Sequence, residues 1–355
     1  MQHRLEKKEN QLLQGAKMDN ELNIRPITVD KTGMKPGELD GEVAVITGGA
    51  SNIGLGTARS LAWLGAKVVI ATRTESKGQA AAELINSENK PGTAMFIQTD
   101  VTIQESVNNM AKKAIETFGK VDILMNNAMN MGVGGFSLLD VSPKDVEQQC
   151  ATSILGTIHC VQAFVPAMKE RKHGVVGYVA SGFRMARGGG TYFGVKGATS
   201  AMLMGLAAEL GDVKENGVAV FMLVPGNVSE PPKVEPAVKE PYRWPGLNIG
   251  YEASMPPEDS GAAIAYCIAH AAEIHGSGVT TGQVQKHMGW PFPNKEMVPE
   301  GDFDRIRDGL AVRIYGYIGE GFPQPGKKYS INRSDTVPGE MKSFVDLMKE
   351  LETKE

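Results

Sequence analysis

Between Leu39 and Trp290 the sequence alternates short apolar runs with longer amphipathic stretches. This is the signature of repeated βαβ units. A strand covered by helices on both faces is apolar along its whole length, whereas each covering helix is apolar only on the stripe it buries. The runs are Val43–Thr47, Lys67–Thr72, Ala94–Gln98, Ile123–Asn126, Gly174–Ala180, Val218–Val224 and Gly282–Lys286. Seven such strands with intervening helices predict an α/β fold. It is a Rossmann-like, doubly wound parallel sheet that takes a nucleotide at the carboxyl ends of its strands.

Residues 38–290 then form one catalytic domain with two flanking extensions. Residues 1–37 begin with a Lys/Glu/Gln-rich stretch of helical composition, and residues 291–355 hold two expected helices, Asp302–Ile318 and Glu340–Glu355. The Pro-rich stretch at about 227–255 is long enough to cover a pocket as a lid.

Composition removes several classes of partner. With 355 residues, of which 41% are hydrophobic, the chain can bury a sizeable core. A net charge of −4 and a pI near 6.0 give no reason to expect nucleic acid or an anionic membrane. No apolar run is read as approaching the roughly 18 residues of a membrane span, and the polar start Met1–Lys8 lacks the apolar segment of a signal peptide. A cytoplasmic location is expected. Cys150, Cys160 and Cys267 form neither a CxxC pair nor a disulfide framework, and the histidines have no ligand spacing, so no metal is expected.

Two local patterns carry chemistry. Tyr192 and Lys196 stand four apart in Tyr-Phe-Gly-Val-Lys. On a helix over Thr191–Leu210 they project from one face, and a fixed ammonium beside the phenol favours its ionised form and suits it to proton transfer. The second pattern is the turn Thr47-Gly48-Gly49-Ala50-Ser51-Asn52-Ile53-Gly54, which closes the first apolar strand. A chain that doubles back while aiming backbone N–H groups at a pyrophosphate needs small residues there.

At that turn the chain resembles the short-chain dehydrogenase/reductase family, whose single-domain branch carries Thr-Gly-xxx-Gly-x-Gly. Asn52 stands at the middle glycine and is read as a permitted variant, since Asn tolerates a left-handed backbone. The resemblance assigns Gly48, Ser51, Asn52, Ile53 and Gly54 to the pyrophosphate. After the second strand the family places an acidic residue when the cofactor ribose is unphosphorylated; this chain has Thr72 and Arg73, which favours NADP(H) and leaves NAD(H) open. Asp100 and Val101 fall where the family holds adenine. Asn127 and Ala128 match its Asn-Asn-Ala-Gly motif, with Met129 in place of the glycine. Pro225, Gly226 and Val228 match its Pro-Gly-x-Val on the nicotinamide side.

The same resemblance makes Tyr192 the proton donor, Lys196 the residue that holds the nicotinamide ribose and lowers the Tyr192 pKa, and Ser181 the group that polarises the carbonyl. Ser181 lies 11 positions before Tyr192, about two fewer than is usual in the family. The family's relay Asn falls at Ser153, which either holds the same water or marks a different relay. The implied activity is NAD(P)(H)-dependent interconversion of a secondary alcohol and a ketone. Phe183, Met185, Tyr242 and Trp244 suggest an apolar, cyclic or steroid-like substrate, and Arg184 and Arg187 suggest a carboxylate instead. A homo-oligomer, tetramer or dimer, is implied. The alternative is a catalytically silent, nucleotide-binding redox sensor; a sugar-nucleotide epimerase, which also uses YxxxK, lacks its Gly-xx-Gly-xx-Gly turn here.

Overall fold

The computed structural model describes residues 24–130, 138–181, 190–226, 228, 243–244, 247–248 and 255–289. Seven strands, β1 (Val43–Thr47), β2 (Lys67–Thr72), β3 (Ala94–Gln98), β4 (Ile123–Asn126), β5 (Gly174–Val179), β6 (Val218–Val224) and β7 (Ser277–Thr280), form one parallel sheet. Their order is β3-β2-β1-β4-β5-β6-β7. In register, Val45 of β1 lies between Val69 of β2 and Leu124 of β4.

The longer helices among the described residues are α1 (Asn52–Trp63), α2 (Glu75–Glu88), α3 (Gln104–Phe118), α4 (Pro143–Arg171), α5 (Gly190–Leu210), α6 (Pro257–Ala269) and α7 (Thr281–His287). They divide between the two faces because successive strand residues point to opposite sides. Ala44, Ile46, Val68 and Ile70 pack with Leu61 of α1, Ile85 of α2 and Ile264 of α6. Val43, Val45, Val69 and Ala71 pack with Met110 of α3, Phe164 of α4 and Leu203 of α5. Both faces being covered explains why every β1 residue is buried and why the strand runs read as continuously apolar. A Cβ on Gly261 of α6 would lie 2.2 Å from the Gly56 backbone of α1, so glycine lets these two helices touch.

Two sequence expectations need correction. The seventh strand is Ser277–Thr280, and the residues expected in it, Gly282–Lys286, lie in α7. The cause is a capping box at Thr280-Thr281-Gly282-Gln283. The Gln283 N–H donates to Thr280 Oγ1 at 2.9 Å, and the Thr280 N–H donates to Gln283 Oε1 at 2.8 Å. Adjacent Val284 and Gln285 are both fully buried, which follows from a helix packed into the core rather than from a half-exposed strand. Secondly, α4 is long and apolar enough to cross a membrane by length and composition. In this fold its Cys160, Phe164, Val165 and Met168 are buried against the sheet and neighbouring helices.

The N-terminal segment is described from Ile24 onward. Its single 3₁₀ turn, Val29–Thr32, lies against α6, where Thr28 Oγ1 donates to Asp259 Oδ1 at 3.0 Å and the Arg25 N–H donates to Glu258 Oε1 at 2.9 Å. Buried Arg59 of α1 donates to the Arg25 carbonyl at 2.8 Å and pairs with Glu88. The other expected helices of the two extensions lie outside the described residues. Of the expected lid, only the Val228–Met255 bridge and the two-residue ladder joining Arg243–Trp244 to Leu247–Asn248 are described.

Candidate active site

The strand order reverses direction at β1, between β2 and β4, so the chain leaving β1 turns one way and the chain leaving β4 the other. A crevice opens at their carboxyl ends. Thr47, the last residue of β1, binds the two edges together: its Oγ1 accepts from the N–H groups of Asn127 and Ala128 at 3.0 and 3.1 Å. Asn127 returns the contact, donating Nδ2 to the Thr47 and Gly48 carbonyls at 2.9 and 3.1 Å.

The glycine turn is shaped by close approach. Gly48 is left-handed, with φ +65°, and a Cβ there would meet Asn127 Nδ2 at 3.0 Å and Ala128 Cα at 3.1 Å. A Cβ on Gly54 would lie 2.4 Å from the Gly48 carbonyl oxygen. Asn52 takes the left-handed conformation expected of it, φ 48°, and its Oδ1 accepts from the Ile53 N–H at 2.7 Å. Ser51 is the extended residue before α1, so the turn delivers the chain directly to a helix N-terminus. A tight turn of small residues, opening a helix at the switch point of the sheet, fits a dinucleotide pyrophosphate.

Thr72 and Arg73 stand at the end of β2, where the Thr72 carbonyl accepts from the Thr99 N–H and the exposed Arg73 side chain forms no salt bridge among the described residues. Asp100 and Val101 follow β3. Asp100 Oδ1 closes a local turn by accepting from Thr102 N–H and Oγ1 at 2.9 and 2.7 Å, and the Val101 carbonyl accepts from His159 Nδ1 at 2.8 Å. Met129 is half-buried beyond Ala128. Pro225 and Gly226 end β6, and Val228 bridges to Met255. These cofactor-side positions thus gather along the carboxyl edge of the sheet. The pocket residues Phe183, Arg184, Met185, Arg187 and Tyr242, and the Trp244 side chain, lie outside what is described.

The reactive groups meet where β5 gives way to α5. The Tyr192 hydroxyl is hydrogen-bonded to the Ser181 side chain. Burial pushes the phenol up from its ordinary value and this bond pulls it partly back, so in the protein alone the Tyr192 hydroxyl keeps its proton. The sequence expectation was a lowered value; burial of the phenol outweighs it. Lys196, one turn along the same helix, is 3% exposed and donates Nζ to the Val179 carbonyl at 2.7 Å. Burial also lowers its own pKa, to about 7, because the ammonium has lost water without gaining a carboxylate among the described residues.

Ser153 belongs to a different cluster. It sits in a π-helical turn, Ala151–Leu155, inside α4, and its Oγ lies 3.0 Å from the Tyr178 hydroxyl and 3.1 Å from Thr199 Oγ1. Tyr178 and Thr199 were not singled out in the sequence. Thr199 could have been found as the residue one turn beyond Lys196, but an aromatic within an apolar strand reads as core.

A family model described as short chain dehydrogenase matches residues 42–240. Among curated relatives, a fluoren-9-ol dehydrogenase from Terrabacter sp. is 31% identical over 207 residues, covering 54% of this chain and 57% of that protein. Among solved structures, a short chain dehydrogenase from Burkholderia cenocepacia in complex with NADP is similar, with a TM-score of 0.57 and 27% identity over 68% of this chain and 97% of that one. A 3-ketoacyl-(acyl-carrier-protein) reductase from Brucella melitensis complexed with NADH gives a TM-score of 0.57 and 26% identity, covering 68% and 97%.

Proposed function

Because the chain belongs to the short chain dehydrogenase family and is an oxidoreductase of it, we infer that it interconverts a secondary alcohol and a ketone by hydride transfer. The single observation that carries this reading is the Ser181–Tyr192 hydrogen bond, with Lys196 one turn farther along α5. A nicotinamide dinucleotide bound in the crevice supplies the hydride for ketone reduction and accepts it in the reverse direction.

The chain's own residues do the rest. Gly48, Ser51, Asn52, Ile53 and Gly54 hold the pyrophosphate, Asp100 and Val101 the adenine, and Asn127, Ala128, Met129, Pro225, Gly226 and Val228 the nicotinamide side. Lys196 holds the ribose hydroxyls. Ser181 donates a hydrogen bond to the substrate carbonyl oxygen, and Tyr192 gives that oxygen its proton as the alkoxide forms. Hydride on carbon and proton on oxygen complete the alcohol. In oxidation Tyr192 takes the proton back.

NADP(H) is the favoured cofactor. Arg73 at the end of β2 supplies a cation where a 2′-phosphate would lie, and no carboxylate stands there to repel it. NAD(H) use is the competing reading, since similar structures hold either cofactor. For the substrate we favour a cyclic ketone, supported by the tricyclic alcohol named for the Terrabacter relative. A cytoplasmic homo-oligomer completes the proposal.

The test is a fluorescence titration with NADPH and NADH, followed by a screen of cyclic and steroidal ketones for cofactor oxidation. Turnover supports the enzyme. Cofactor binding without turnover across the panel would favour the redox-sensor reading, for which the replacement of the relay Asn by Ser153 is the motivating departure.

A further inference from the structure

Ser153, Thr199 and Tyr178 form a chain of hydroxyls whose direction can be assigned. Thr199 Oγ1 donates to the Val195 carbonyl at 3.0 Å, so its proton is committed there. At 3.1 Å Thr199 must therefore accept from Ser153, and at 3.0 Å Ser153 must accept from the Tyr178 hydroxyl. The chain runs from Tyr178 through Ser153 and Thr199 to a backbone carbonyl. It ends on a group that cannot take up a proton, and the one proton of Ser153 is committed to Thr199.

The ring at the start of that chain has a second contact. Lys196 Nζ lies 4.8 Å from the Tyr178 ring centroid, within the range over which a ring face attracts a cation. Among the described residues one of the three ammonium protons has a protein acceptor, the Val179 carbonyl, and no carboxylate pairs with the charge. A buried cation so sparsely partnered depends on the aromatic face more than an exposed one would. Val195 and Thr199 flank Lys196 on α5, so the hydroxyl chain fastens the ring to the helix that carries the ammonium.

We propose that Tyr178 is a positioning residue: its ring face holds the Lys196 side chain in its charged form, and Ser153 and Thr199 hold the ring in place by its hydroxyl. Ser153 then serves ring placement. Tyr178 itself stays a neutral phenol, because burial and the nearby Tyr192 both push its proton affinity up. The inference rests on the proposed role of Lys196 but is read without substrate.

The experiment is an NMR titration of full-length, cofactor-free protein carrying ¹³Cε-labelled lysine, with the Lys196 signal identified by its loss in Lys196→Met. Wild type is expected to titrate at about 7. Tyr178→Phe keeps the ring but removes the hydroxyl that fastens it, and is expected to lower the midpoint about as much as Ser153→Ala does. Replacing Tyr178 with pentafluorophenylalanine keeps the shape but reverses the charge of the ring face. That change should lower the midpoint by about one pH unit relative to Tyr178→Phe. Equal midpoints for the two rings would overturn the proposal, as would a change in melting temperature with no change in titration. Ser153→Ala should shift the midpoint downward by less than the fluorinated ring does; a midpoint identical to wild type would remove the hydroxyl chain from the account. Failure of the enzyme to reduce any ketone would sink the proposed function and leave this titration unaffected.

Discussion

Lys196 Nζ donates to the Val179 carbonyl at 2.7 Å, and this bond ties α5 to the strand end that presents Ser181 two residues later. The same burial that fixes this geometry destabilises the ammonium. A lysine whose folded pKa lies near 7 against an ordinary 10.5 binds fewer protons folded than unfolded throughout that window. Its stabilising contribution is therefore present at high pH and is lost as pH falls towards 7, by at most roughly 1.4 kcal/mol per pH unit.

Lys196→Met abolishes that pH dependence while leaving the Val179 carbonyl without its donor. The melting temperature of the cofactor-free variant, relative to wild type, should rise as pH falls from 10 to 7 and level off below 7. A difference that stays constant with pH would show that Lys196 is not desolvated as described.

Asp259 has the opposite sign. Burial raises its carboxyl from 3.8 to about 6, against relief from the Thr28 hydrogen bond and nearby cations. The folded protein then binds the proton more tightly, so stability from this group is full below pH 4 and is lost as pH rises through 6. Asp259→Asn keeps an acceptor for Thr28 Oγ1 and removes the charge. Relative to wild type it should gain up to about 3 kcal/mol between pH 4 and pH 7 in chemical denaturation. A variant less stable than wild type at pH 7 would count against the assignment.

Asn52 occupies a left-handed backbone with φ 48°. Asn52→Gly should leave stability within a few tenths of a kcal/mol of wild type, whereas Asn52→Ala should cost about 1 to 2 kcal/mol and weaken cofactor binding. Equal melting temperatures for the two variants would contradict the strain argument.

Arg73 bears on cofactor choice. Arg73→Ala should weaken NADPH binding about ten- to a hundredfold and leave NADH within about twofold, the loss expected for a charge-assisted phosphate contact. Parallel weakening of both cofactors would place Arg73 away from the 2′-phosphate.

The six strands from β1 to β6 were legible because each is an apolar run covered on both faces, and their ends set the positions of Gly48, Thr72, Asp100, Asn127 and Pro225. The seventh was misplaced by a few residues. Gly-Gln-Val-Gln-Lys has the alternation of a strand, and the Thr280–Gln283 capping box that makes it a helix is a four-residue signal easily overridden by that pattern. The nearness of Ser181 to Tyr192, with Lys196 on the same helix, was legible through spacing and strand order. The opposed directions of the two pKa shifts were not, since burial is a property of the packed fold. Nor was the Tyr178–Ser153–Thr199 chain, which joins β5, α4 and α5 across residues far apart in sequence.

The central claim is that Tyr192 supplies the proton, and the most direct measurement is turnover by Tyr192→Phe on a ketone that the wild type reduces. Turnover should fall at least about a hundredfold, the scale of a lost general acid, while NADPH affinity by fluorescence titration stays within about threefold of wild type. Turnover within about tenfold of wild type, with the cofactor still bound, would contradict the account.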